Sequence, residues 1–321
     1  PPIPGVDGPG VITSDQILSL TEQPDRLVII GGGVIGVEIA AIFAAVGTRV
    51  TVVEAMPRIL PGADAELTDL MVRELEHMGV TVRTGAKVQR IEGAPGALRV
   101  LVEGGEAAEG DLVLVAAGRR PNLDGLEALD LERHKGGIVT DDRMLTRVPG
   151  VAAAGDVVAG RPMLAHVAFH EAKVAVENLL GHQARMDYRA VPQCIFGPLD
   201  LAQVGLTEAE AVARGYDVKV GRFPMAASGR AQTLGETAGL VKVVSEARHG
   251  EILGVHMLGA HAAEFLGEVT LALNLEATLD EVTETMHMHP TLSESILEAM
   301  ADVHGAALHL PRRRTPAAAG R

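Results

Sequence analysis

The apolar run "RLVII" (residues 26–30) is short, β-branched and unbroken, the pattern of a strand buried on both faces of a parallel sheet. A glycine triplet follows it. The apolar stretch from there to Gly47 is too long for a strand and is read as a buried helix. "TRVTVVE" is a second strand. The next segment, "AELTDLMVRELEHMG", sets Leu67, Leu70, Met71, Leu75 and Met78 at helical spacing and closes on Gly79. "VTVRTG" is a third strand. The rhythm then shortens to "KVQRIEG", "ALRVLVEGG" and "AAEGDLVLVAAG", hairpin-like pieces with glycine turns between them.

Upstream, residues 1–25 are Pro/Gly-rich and polar, a connector with a short helix near Ser14 to Leu20. Downstream, "GVAAAGDVVAG" leads into the helix "HVAFHEAKVAVENLL". From Val191 the pattern becomes α+β: strands around "CIF", "LAQVG", "VKVGRF", "LVKVVS" and "ILGVHMLG", with helices from Ala262, Leu279 and Thr291. The predicted fold class is α/β, a doubly wound, Rossmann-type domain followed by an α+β unit.

Composition narrows the function. At 47% hydrophobic and 22% charged, with mean hydropathy +0.21, the chain reads as a globular protein. A net charge of −14 opposes a phosphate backbone, and 2% aromatics leave few surfaces for base stacking, so no nucleic-acid partner is expected. The one membrane candidate, residues 27–47, carries Glu38 at its middle and the glycine triplet near its start, so no membrane span is expected either. No basic-then-apolar leader is read at the start of the sequence, so a cytoplasmic location is expected. One cysteine, Cys194, excludes a disulfide framework and a cysteine-rich zinc site.

Gly31, Gly33 and Gly36 form a G-x-G-x-x-G between the first strand and its helix. The first glycine permits the turn, the second admits a pyrophosphate to the backbone, and the third lets helix and strand pack closely. Glu54 ends the second strand, placed to accept both hydroxyls of an adenine ribose and to repel a 2′-phosphate. The expected cofactor is therefore NAD rather than NADP, with Arg58 read as a solvated surface residue.

The motifs "VIIGGGVIGVE", "VTVVE", "VAAGRRPN", "AAAGDV", "MLAH" and "HPTLSE" occur in an order that resembles the flavin-dependent pyridine-nucleotide disulfide oxidoreductases, and among them the dihydrolipoamide dehydrogenases. The resemblance runs from residue 1 to about 308. It implies a connector from a flavin domain (1–23), an NAD domain (24–145), a returning, partial FAD domain (146–189), an α+β dimerisation domain (190–310) and a disordered tail (311–321).

It also implies cofactors and residue roles. Asp156 would bond the ribityl chain of FAD, and Met163, Leu164, Ala165 and His166 would lie beside the isoalloxazine. Val88 and Gly118 would contact NAD, and Glu38 would face a lysine beside the flavin. Independently of the family, a carboxylate on so apolar a helix calls for a buried partner. His289 would be the base that deprotonates dihydrolipoamide, with Glu294 orienting it. Histidine suits that task because its ordinary pKa lies near working pH. Thr291 and Glu294 also fit a capping box, and the two roles of Glu294 are compatible on different oxygens. His287 and His289 have no cluster of carboxylates or cysteines around them, so no metal is expected.

The resemblance also implies two features that these residues do not contain: an earlier Gly-rich loop for the ADP of FAD, and a CxxxxC redox pair. Cys194, in "VPQCIF", is read as a structural cysteine. Three readings follow. The chain is a truncated or split dihydrolipoamide dehydrogenase with an incomplete FAD site, inactive alone and partnered by a missing amino-terminal segment and the dihydrolipoyl group of an acyltransferase or other lipoyl protein. Alternatively it is a non-catalytic NAD-binding and dimerisation module, or a related flavin disulfide reductase of other substrate. A homodimer is expected, since "GEVTLALNL" and "ILGVHMLG" otherwise expose apolar surface.

Overall fold

The computed structural model describes residues 1–311; the tail expected from 311 on lies, past that residue, outside the described residues. The chain divides into two compact units, Pro1–Ala117 together with the chain from Pro192 on, and Gly118–Val191.

The first part of the first unit runs β1 (Val11–Ile12), α1 (Ser14–Ile17), β2 (Arg26–Ile30), α2 (Val34–Ala45), β3 (Arg49–Val53), α3 (Ala65–His77) and β4 (Thr81–Arg83). It continues through β5 (Val88–Ala94), β6 (Ala97–Val102), β7 (Ala108–Gly110) and β8 (Leu112–Val115). Five strands form one sheet in the order β1-β8-β2-β3-β4, every neighbouring pair parallel. The central strand is buried along its length, Leu27 to Ile30 showing 5% exposure or less, which is why it reads as an unbroken apolar run. Helix α3 is amphipathic, with Leu67, Met71 and Leu75 buried and Asp64 capping its first turn by accepting from the Glu66 N–H at 3.0 Å.

Two expectations are corrected here. "AAEGDLVLVAAG" is not one hairpin piece. It divides at Asp111: β7 pairs antiparallel with β6, whereas β8 enters the parallel sheet between β1 and β2. The Asp111 carboxylate causes the break, because it accepts from the Arg26 guanidinium at 2.7 Å and 3.1 Å and from the Arg26 backbone N–H at 2.9 Å. The Arg26 hydrogen bond holds the Asp111 carboxyl below its ordinary pKa. The connector, moreover, contributes a strand, since Val11 and Ile12 pair with Val113 and Leu114.

The second unit holds a two-strand ribbon, β9 (Arg133–His134) and β10 (Gly137–Ile138), a 3₁₀ turn at Gly155–Val157, and helix α4 (Ala165–Leu179). Lys135 and Gly136 make the ribbon's turn with φ of 45° and 82°. Its small core gathers Met144, Val158, Val174 and Ala175. Asn178, buried beside them, donates to the carbonyls of Val174 and Ala184 at 2.8 Å and of Arg143 at 3.1 Å, so its amide is satisfied.

The first unit resumes with β11 (Gln193–Ile195), β12 (Asp200–Gly205), α5 (Glu208–Ala213), β13 (Val218–Pro224), α6 (Gly229–Leu234), β14 (Leu240–Glu246) and β15 (Ile252–Gly259). It ends with α7 (Ala262–Asn274), α8 (Leu279–Glu284) and α9 (Glu294–Asp302). These strands form an antiparallel sheet in the order β11-β12-β15-β14-β13. Helix α9 begins at Glu294, later than the expected Thr291, because Glu294 turns its carboxylate back over the preceding residues. Helix α9 lies tight on β13 at Gly221, where a Cβ would stand 1.9 Å from the Ala299 carbonyl oxygen. Gly221→Ala is expected to lower stability by about 2 kcal/mol through overpacking, read by thermal unfolding. Among the described residues no helix is long and apolar enough to cross a membrane.

Candidate functional site

The glycine turn links β2 to α2. Gly31 has φ +112°, and a Cβ there would lie 2.5 Å from the Ala116 carbonyl oxygen. A Cβ on Gly36 would lie 1.9 Å from the Gly31 carbonyl oxygen, so helix and turn meet as closely as backbone allows. Gly33 differs: a Cβ there would meet nothing within 4 Å. The three glycines thus divide into two required by packing and one facing open space at the amino terminus of α2. No side chain caps that terminus and its first turn holds no acidic residue, leaving its N–H groups and positive dipole end for an anion. The residues present fit the pyrophosphate of a dinucleotide.

Glu54, at the tip of β3, faces this turn. Its Oε2 accepts from the Gly32 N–H at 2.6 Å and its Oε1 from the Met56 N–H at 2.7 Å. Each carboxylate oxygen keeps a further lone pair, so acceptance from ribose hydroxyls is compatible with both bonds. Arg58 is half-exposed but not free, since its guanidinium pairs with Asp69 and donates to the Ala65 carbonyl. Val88 is half-buried at the start of β5. Gly118 is exposed with φ +118° and open space where a Cβ would be.

Glu38, on α2, is half-buried, and its Oε1 accepts from the Phe196 N–H at 2.9 Å. Its partner among the described residues is this backbone group, not a lysine. Cys194 lies in β11, and burial, followed by the charges of Asp200 and Glu38, pushes its thiol up to about 12. It is a protonated, poorly nucleophilic thiol at neutral pH.

His289 and Glu294 stand at the entry to α9. The imidazole Nδ1 lies 2.9 Å from Glu294 Oε1, while Glu294 Oε2 accepts from the Thr291 N–H at 2.7 Å. One carboxylate therefore bonds both the imidazole and the Thr291 N–H, although the expected capping box is not completed, because the helix is capped at Ser293 and the Thr291 hydroxyl donates to the Met288 carbonyl. Partial burial pushes Glu294 up in pKa, but the Thr291 N–H and the His289 side chain outweigh it and hold the carboxyl below its ordinary value. The His289 side chain is 70% exposed, and no described residue bonds its Nε2. His287 is the opposite case. Its side chain is only 6% exposed, and its ring nitrogens meet the Thr285 carbonyl and Glu268 Oε1, both at 2.8 Å.

The lowered pKa of Glu294 fixes the sign of a pH effect. Its ionised form contributes stability above the unfolded carboxyl pKa of about 4.3, and that contribution fades as pH falls through the lower folded value. Glu294→Gln is therefore expected to lower the unfolding temperature at neutral pH. The gap between variant and parent should close below about pH 4.

In the second unit, Asp156 is exposed on the 3₁₀ turn, and Met163 and Leu164 are half-buried just before α4, whose first residues, Ala165 and His166, are exposed. The turn is held from below by Glu171, fully buried on α4. Its Oε2 accepts from the Gly155 N–H at 2.6 Å and its Oε1 from the Tyr188 hydroxyl at 2.7 Å. Burial, then the Glu171 hydrogen bond, pushes the Tyr188 hydroxyl well above its ordinary pKa, so it remains a donor. No described residue bonds the Asp156 carboxylate, which fits a ligand hydroxyl such as those of a ribityl chain. Sequence reasoning passed over Glu171, although a carboxylate in line with Val167 and Val174 on the buried face of a helix was a usable signal.

An open glycine turn, an exposed aspartate on a braced AxGD turn and an imidazole–carboxylate pair fit the class of nucleotide-dependent redox proteins working with a flavin. The chain belongs to the pyridine nucleotide-disulphide oxidoreductases: that family's model matches residues 1–172, and the model of its dimerisation domain matches residues 191–300. The family uses FAD and NAD(H), and the dimerisation domain supports a homodimer. Dihydrolipoyl dehydrogenase of Thermus scotoductus is 44% identical over 95% of this chain and 68% of its own length. Dihydrolipoyl dehydrogenase of Rhizobium etli is 40% identical over 96% of this chain and 66% of its own length. The chain thus spans about two thirds of these relatives. Among solved structures, the HOCl-induced flavoprotein disulfide reductase RclA of Escherichia coli superposes with a TM-score of 0.87 at 31% identity, over 94% of this chain and 70% of that one.

Proposed function

We propose that this chain is the NAD-binding and dimer-forming part of a dithiol:NAD oxidoreductase of the dihydrolipoyl dehydrogenase type. The observation that carries the reading is the His289–Glu294 pair. Glu294 accepts the Nδ1–H, which fixes the tautomer and leaves the exposed Nε2 as a base for a thiol proton. The carboxylate also stabilises the imidazolium that results.

The net reaction converts dithiol and NAD⁺ to disulfide, NADH and a proton. Bound FAD supplies the electron path between the sulfur and nicotinamide ends. Asp156 and residues Met163–His166 would hold the flavin; Gly31, Gly33, Gly36 and Glu54 would hold NAD, with Val88 and Gly118 beside it. These 321 residues include one cysteine, so the redox disulfide of this reading is supplied by residues outside them. The substrate is the dihydrolipoyl group of a lipoyl protein. A second reading, a flavin disulfide reductase of other substrate, is favoured by the likeness to RclA.

The test supplies the flavin- and CxxxxC-bearing segment of the Thermus scotoductus relative in trans, with FAD. NADH formation from dihydrolipoamide is then measured. Activity that needs His289 supports the proposal. Complementation that works only with other dithiols or disulfides favours the second reading, and a complex that forms without any turnover leaves the chain a binding module.

A further inference from the structure

Two buried polar side chains of the antiparallel sheet reach out to the loop that closes the dinucleotide turn. Gln203, on β12 and 8% exposed, donates from Nε2 to the Gly62 carbonyl at 3.0 Å. Lys242, on β14 and 4% exposed, places Nζ 2.9 Å from Asp64 Oδ2, 2.9 Å from Glu208 Oε2 and 3.3 Å from Glu66 Oε2. Asp64, itself buried, uses its other oxygen to cap α3. Both contacts therefore fall on the end of the loop that runs from Met56 into α3.

The other end of that loop sets the glycine turn. The Leu60 N–H donates to the Gly32 carbonyl at 2.8 Å, and the Met56 N–H holds Glu54, which in turn accepts from the Gly32 N–H. Ile59 is buried against Gly32, its Cγ2 2.7 Å from the place a Cβ would occupy. Leu60 is buried at φ 49°, a left-handed conformation a leucine adopts only when its surroundings impose it. Both polar groups of the Gly32 backbone are thus fixed, the carbonyl by Leu60 of the loop and the N–H by Glu54, which Met56 holds, one position before the open Gly33.

A lysine buried among three carboxylates is a costly way to stabilise a sheet, since apolar side chains of similar volume serve as well or better. What an apolar residue cannot do is hold Asp64, and through it the loop, at one distance. We propose that Lys242 and Gln203 are positioning residues for the dinucleotide, so that the dimerisation sheet presets the NAD turn. This rests on the NAD reading of the glycine turn. Without the brace the loop samples other arrangements, and affinity falls in proportion to the fraction of molecules left competent.

The test compares the parent chain with Gln203→Leu, Lys242→Met and Lys242→Arg. NADH affinity is measured by calorimetric titration well below each unfolding temperature, and amide exchange is followed at Gly32 and Leu60. Gln203→Leu, which keeps the volume and leaves the ion cluster intact, should weaken NADH about tenfold and speed exchange at both amides. Lys242→Met should weaken it at least as much, and Lys242→Arg should recover part of the loss. An unchanged NADH affinity in Gln203→Leu, with only a lower unfolding temperature, makes the contact merely structural and overturns the proposal. Should Lys242→Met fail to fold, Gln203→Leu decides alone. A parent chain that binds no NADH overturns the NAD reading itself, and the positioning role with it.

Discussion

Gly36→Ala is expected to abolish NADH binding and to lower stability by about 3 kcal/mol, whereas Gly33→Ala loses binding while the fold stands. The two changes are chemically identical and lie three residues apart. The difference is what each new methyl group meets. At Gly36 it falls 1.9 Å from the Gly31 carbonyl oxygen, so either the turn opens or α2 lifts from β2. At Gly33 it meets nothing within 4 Å and occupies only the space a pyrophosphate would use. Unfolding temperature and NADH titration on the two variants separate these outcomes. Equal destabilisation by both would mean that the open side of the turn is not a ligand face.

His289→Gln carries the second large effect. In the complemented enzyme it should slow oxidation of dihydrolipoamide by about 10²- to 10⁴-fold, the usual contribution of a positioned general base. NADH affinity should be unchanged, because the dinucleotide turn is held by Glu54 and the loop from Met56, with no bond to His289. Glu294→Gln should cost less, since an amide still accepts from Nδ1–H but no longer stabilises the imidazolium. A His289→Gln enzyme with normal dithiol turnover would return His289 to the status of a surface histidine.

The parts of this molecule that local pattern controls were legible in the sequence. "RLVII", the glycines and the helix to Gly47 read as strand, turn and helix because one strand is buried on both faces and the turn has one solution. "HPTLSE" led to an imidazole beside a carboxylate, and the structure adds that Glu294 uses one oxygen for His289 and the other for the Thr291 N–H.

What stayed hidden depends on partners remote in the chain. The break at Asp111 is set by Arg26, 85 residues earlier. Lys242 reads as one polar position in "LVKVVS", and the carboxylate of Asp64 that explains it lies 178 residues away. Glu54 is read as a candidate ribose acceptor from its place after β3, yet its bonds to Gly32 and Met56 follow from a loop course that no periodicity encodes. Glu171 was the nearest miss, a carboxylate on an apolar helical face whose partners, Gly155 and Tyr188, lie 16 and 17 residues from it.

The most direct test of the central claim, a dinucleotide site selective for NAD, is a calorimetric titration of the purified chain with NADH beside one with NADPH. The Glu54 carboxylate, fixed against the glycine turn, should make NADPH at least about tenfold weaker by repelling its 2′-phosphate. Equal affinities, tighter NADPH, or no heat with either nucleotide would contradict it.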